Sequence, residues 1–95
     1  MTAPTTRHVA LQLQDNEDNR RVIEAIEADN PDITVRRLPG LVDLQSPSEI
    51  TVNRETVERI LGSPWETEEL QVAMISYVGH FAEWDDDRIV IRWEH

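Results

Sequence analysis

Apolar and polar residues alternate over residues 7–14, where Val9, Leu11 and Leu13 are separated by Ala10 and Gln12. A period of two marks a half-buried strand. The period then lengthens. Val22, Ile23, Ala25 and Ile26 recur at helical spacing, with Asp15 or Asn16 ahead of them as a cap. Glu17 precedes Arg21 by four residues, the favourable order for an ion pair along a helix. Pro31 stops this helix. Ile33 and Val35 begin a second strand, and Pro39-Gly40 turns the chain into a third over residues 41–44. Ser46-Pro47-Ser48 is a loop, after which Ile50-Thr51-Val52 resumes extended structure.

The second half opens with Asn53 as the cap of a short helix that carries Val57, Ile60 and Leu61, and Gly62 is placed to end it. Thr67 is expected to cap a further turn over ETEELQV, followed by one strand from about Met74 to Trp84. A last strand over 88–93 directs Ile89, Ile91 and Trp93 to one face and Arg88, Val90 and Arg92 to the other. The order is β-α-β-β, then β-α-(α)-β-β. The expected fold is a compact α+β domain with a mainly antiparallel sheet, one unit over residues 1–95 with residues 1–6 frayed.

Charge narrows the partners. Nine basic residues, all arginine, face nineteen acidic ones, a net charge of −10. Such a field repels nucleic acid and anionic membranes, so neither is an expected partner. The N-terminal MTAPTTRH lacks the apolar run of a signal peptide, and no stretch has the length of a membrane span, so a cytoplasmic protein is expected. The chain has no cysteine, which removes disulfides, thiolate nucleophiles and cysteine-ligated metal together.

Candidate chemistry is sparse. GHFAEWDDDRIVIRW, residues 79–93, gathers His80, Glu83 and Asp85-Asp86-Asp87. His80 and Glu83 are an odd number of residues apart, so in a regular strand they leave opposite faces and cannot meet on one ion without a bulge. The three aspartates sit where the chain must reverse, and aspartate is a natural turn residue. No serine stands in a glycine-flanked elbow, and Gly40, Gly62 and Gly79 are each isolated, which excludes a phosphate loop. No catalytic, cofactor-binding or metal-binding residue is expected. Two features stand apart: Glu27 and Asp29 crowd a helix C-terminus that prefers cations, and Trp65 and Trp84 lie at loop edges where tryptophan serves either as interface anchor or as core lid.

VIEAIEADNP (22–31), RETVERILGSPW (54–65), the EL of 69–70, SYVG (76–79) and the acidic turn before the final strand follow one another in an order that resembles the effector (coupling, or regulatory) proteins of soluble multicomponent di-iron monooxygenases. The match is nearest to the phenol and toluene branch. The resemblance implies a cofactorless, non-catalytic subunit that binds a di-iron hydroxylase, shifts its active-site geometry and couples NADH use to hydroxylation or epoxidation. It also implies competition with a reductase or ferredoxin for the same surface. Carried over, the hydroxylase-facing residues are Asp29 and Asn30 of the DNP turn with Ser76, Tyr77 and Gly79 of SYVG, while Trp65, where relatives have phenylalanine, belongs to core or edge packing. Two other readings remain open on the residues alone. One is a small ferredoxin-like ligand-binding regulatory domain, and the other is a free-standing enzyme that uses carboxylates.

Overall fold

The computed structural model describes residues 8–93, and the expected fraying of residues 1–6 lies outside them. The chain runs β1 (Val9–Gln14), α1 (Glu17–Asp29), β2 (Thr34–Leu38), β3 (Leu41–Ser46), β4 (Glu49–Asn53), α2 (Arg54–Leu61), α3 (Glu69–Ala73), β5 (Met74–Val78), β6 (His80–Trp84) and β7 (Arg88–Arg92). The strands form two sheets, one ordered β2-β3-β1-β5 and one ordered β4-β7-β6. Every strand pair is antiparallel. The α+β expectation is borne out, with two sheets where one was expected. Among the described residues no helix is long and apolar enough to cross a membrane.

The local rules explain most boundaries. Asn16 is extended and its side chain accepts the Asn19 amide at 2.9 Å, a conventional N-cap for α1. Gly62 ends α2 in the left-handed region at φ 77°, where a residue without Cβ is unstrained. The apolar stripe of α1 (Val22, Ile23, Ala25, Ile26) is buried, and this helix lies against α2 and β4. Leu11, Leu13, Val42 and Leu44 of the first sheet share one core with Ile50, Val52, Ile89 and Ile91 of the second, and Trp65 is part of that core. Truncating one of the fully buried leucines costs about 2–5 kcal/mol in such a setting.

Four expectations need correction, each because a tertiary contact overrides a local pattern. The single strand from Met74 to Trp84 is two strands in different sheets, broken at Gly79, whose φ is 121°. Asn53 holds the first position before α2 but makes no cap bond; its Nδ2 donates to Asp29 Oδ2 at 3.0 Å. Thr67 is buried and does not cap α3; its hydroxyl donates to the Asp85 carbonyl at 2.7 Å. Val90, expected on the polar face of the last strand, is buried with Ile89 and Ile91.

Candidate partner-docking surface

Strand β5 ends its sheet, paired with β1 on one side and with no neighbour on the other among the described residues. Its register sets Ala10 opposite Val78, Leu11 opposite Tyr77, Gln12 opposite Ser76 and Leu13 opposite Met74. The shift between Gln12 and Leu13 leaves Ile75 as the extra residue of a bulge. Ile75, Ser76, Tyr77 and Val78 are all exposed, and Val72 on the preceding α3 is 80% exposed. An edge with unpaired backbone groups and apolar side chains is a template for another chain unless something covers it. From Leu70 to Ala82 the sequence holds no Asp, Glu or Arg, in a chain with nineteen acidic residues. That neutral stretch is the signal that could have located the edge from sequence alone.

Within SYVG the roles divide. Ser76 and Tyr77 leave opposite faces of β5, and a partner reaching the rim of the sheet meets both. The Tyr77 ring, on a residue 45% exposed, leans on Phe81 with centroids 4.6 Å apart, and Phe81 meets Trp84 edge-on at 4.8 Å. The rings run from the open edge toward the core, against which Phe81 and Trp84 pack. Gly79 has a packing reason of its own. A Cβ there would lie 2.9 Å from the Arg92 carbonyl oxygen and 3.0 Å from side-chain carbons of Ile91 and Val9. Only glycine lets the chain pass from one sheet to the other at this point.

The DNP turn lies elsewhere and faces inward. Asn30 is 7% exposed. Its Nδ2 donates to the carbonyls of Ile26 and Thr51, both at 2.7 Å, and its Oδ1 accepts the Thr51 amide at 2.9 Å. Thr51 belongs to β4, an edge of the second sheet, so one side chain satisfies both its backbone groups and ties them to α1. This corrects the reading of Asn30 as a surface contact. Asp29, half-buried, accepts from Asn53 on the same strand, so its place at a helix C-terminus has an intramolecular cause.

The acidic turn is a turn, as expected, although β6 is not regular. His80 pairs with Arg92 and Glu83 with Val90, and the extra residue Ala82 brings His80 and Glu83 to one face. The bulge without which the two side chains leave opposite faces is present. Glu83 is engaged by Arg88 at 2.6 Å, and among the described residues no three His, Asp or Glu form a group that could hold a metal. Asp85 Oδ1 accepts the amides of Asp87 at 2.8 Å and Arg88 at 2.9 Å. Those amides, Arg88 first, hold its carboxyl below the usual aspartate range. Glu58 is lowered likewise, chiefly by the Trp65 amide at 3.0 Å and then by Arg54.

Residues 7–92 match the model of the MmoB/DmpM family. The chain belongs to the MmoB/DmpM family. It is 38% identical over 87 residues, 92% of this chain and 96% of the other, to the stimulatory component DmpM of phenol 2-monooxygenase from Pseudomonas sp. (strain CF600). It superposes with a TM-score of 0.86 and 35% identity on a chain from the structure of a phenol hydroxylase–regulatory protein complex, covering 93% of this chain and all of that one. Regulatory protein B of soluble methane monooxygenase shares the fold, with a TM-score of 0.74 and 19% identity over 99% of this chain and 70% of that one. The resemblance expected from the motifs is borne out. Family membership did not reveal which motif residues point outward; Ser76 and Tyr77 do, whereas Asn30 does not.

Proposed function

We propose that this protein is the cofactorless effector of a multicomponent monooxygenase, that it binds the di-iron hydroxylase component, and that the open β5 edge is the centre of the docking surface. One observation carries the reading: a chain 38% identical to a phenol hydroxylase stimulatory component exposes an uncharged apolar edge strand in an otherwise acidic surface. Ser76 and Tyr77 make contact from that edge and Gly79 shapes its end, while Asp29, bonded to Asn53 on the other sheet, lies outside the contact. The protein acts in the cytoplasm, in keeping with a chain without cysteine.

Bound there, the effector is an allosteric ligand. It stabilises one hydroxylase conformation by its differential affinity, and oxygen activation is thereby coupled to substrate oxidation. An interface of ordinary size, on the order of 1,600 Å² in total, keeps the association reversible and leaves room for an electron donor on an overlapping surface. The first sheet, with β3 between the parallel strands β1 and β2, has the split β-α-β arrangement that a ferredoxin-like domain also uses, so the family match and not the strand directions favours the effector over a separate ligand-binding domain.

Titration of the protein into hydroxylase, reductase and any ferredoxin should raise product formed per NADH consumed to a maximum near equimolar ratio, with inhibition beyond it. Tyr77→Ala should require about thirtyfold more protein for the same effect, the loss typical of an aromatic hot spot. Coupling that the wild-type protein leaves unchanged at every ratio would overturn the function.

A further inference from the structure

Asp43 on β3 is a buried acid, 3% exposed, in the first sheet. It stands opposite Gln12 of β1 in register, and Gln12 stands opposite Ser76 of β5. A chain of hydrogen bonds crosses the three strands. Gln12 Nε2 donates to Asp43 Oδ1 at 3.3 Å, Gln45 Nε2 donates to Asp43 Oδ2 at 2.8 Å, and the Ser76 hydroxyl donates to Gln12 Oε1 at 2.6 Å.

The direction of this chain is not free. A carboxylate only accepts, so both glutamines must turn their amide nitrogens to Asp43. With that nitrogen turned inward, it is Gln12 Oε1 that lies 2.6 Å from Ser76 Oγ, and Ser76 must spend its single proton on it. The exposed Ser76 Oγ consequently presents lone pairs, and no proton, to whatever docks on β5.

We infer that Asp43 is a positioning residue for the docking surface: through Gln12 it holds the Ser76 hydroxyl as an outward-facing hydrogen-bond acceptor, which selects a donor N–H on the hydroxylase. The inference rests on the docking surface proposed above. A donor-bearing, cationic contact also suits a protein of net charge −10. Asparagine in place of Asp43 keeps the shape but offers Gln12 and Gln45 one acceptor and one donor where the carboxylate offered two acceptors, so Gln12 is no longer held with its nitrogen inward. When it turns, its Nε2 donates to Ser76 and the serine proton points outward against the partner's donor.

The test is a double-mutant cycle read as the Kd for the cognate hydroxylase by calorimetry, with chemical denaturation run in parallel. Ser76→Ala and Asp43→Asn should each weaken binding about five- to tenfold, the scale of one net hydrogen bond, and the double variant should bind no worse than Ser76→Ala alone. Gln12→Ala, at a half-buried site that tolerates truncation more readily, should behave as Asp43→Asn does. Binding unchanged in Asp43→Asn and Gln12→Ala, or losses that multiply with that of Ser76→Ala, would overturn the positioning role. Tyr77→Ala separates the two levels. Wild-type affinity in that variant removes the docking assignment and the inference with it, whereas a weakened Tyr77→Ala beside silent Asp43→Asn and Gln12→Ala removes the inference alone.

Discussion

At the β4 edge, the Thr51 amide and carbonyl are both bonded to Asn30, and the neighbouring Asn53 is bonded to Asp29. At the β5 edge, Ile75, Tyr77 and Val78 are exposed with no neighbouring strand among the described residues. The two edges belong to different sheets of one small domain, and a single amide side chain closes the first while the second carries only neutral residues. An open apolar edge is an aggregation hazard, and a protein tolerates it where a partner covers it. The difference separates a motif bonded into the fold from one left exposed at a sheet edge, where the proposed contact lies. DNP seals, and SYVG is presented.

The largest effect should come from the residue that makes the presentation possible. Gly79→Ala combines a strained φ of 121° with a Cβ 2.9 Å from the Arg92 carbonyl, and it should cost about 3–5 kcal/mol in urea denaturation. A midpoint equal to wild type would show that the two sheets are not joined this tightly. Asn30→Ala unseals the β4 edge and should cost about 2–3 kcal/mol, since buried donors and acceptors are left unmatched. Hydrogen exchange at Thr51 should accelerate ahead of the rest of the second sheet, while the folded protein keeps its affinity for the hydroxylase. Loss of binding without loss of stability in Asn30→Ala would return the DNP turn to the contact surface.

The converse experiment closes the open edge. Ile75→Asp places a charge on the bulge of β5, and docking should weaken more than tenfold because an apolar contact becomes a desolvated carboxylate. Stability should change by no more than about 0.5 kcal/mol, since the site is exposed. If Ile75→Asp binds as wild type does, the partner covers another face. Gly62→Val supplies the control for Gly79. Its φ is also positive, at 77°, but nothing lies within 4 Å of the added Cβ, so backbone strain alone should cost about 1–2 kcal/mol.

Patterns carried by neighbours in sequence were legible: the period of β1, the Asn16 cap, the Gly62 stop and the reversal at Asp85-Asp86-Asp87. What escaped was settled across long separations. Gly79 breaks a continuous strand pattern because Val9 and Ile91 leave no room for a side chain, and neither is near it in sequence. Asn30 follows an aspartate and precedes a proline, a composition typical of exposed turns, yet its partner is Thr51, twenty-one residues away. Asn53 and Thr67 have the residue types of helix caps and are bonded instead to Asp29 and Asp85. SYVG was singled out by resemblance, but its exposure depends on β5 falling at the end of the sheet beside β1.

The smallest effect expected is an acid limb confined to the sealed side. Glu58 and Asp85 lie with Asn53 and Arg54 around one cleft where β4 meets α2, and the folded pKa of each is below its ordinary value, 4.5 and 3.8 respectively. A depressed folded pKa contributes stability above the unfolded pKa and loses it as pH falls through the folded one. Melting temperature should therefore hold from about pH 6 to the ordinary carboxylate range and decline below it, as the Trp65, Asp87 and Arg88 amides lose their charged acceptors. Glu58→Gln keeps an acceptor for the Trp65 amide and removes the titrating charge, so the decline should become shallower without a change in fold. An identical acid limb in Glu58→Gln would assign the titration to other carboxylates. The β5 edge, with no acid from Leu70 to Ala82, should contribute none of it.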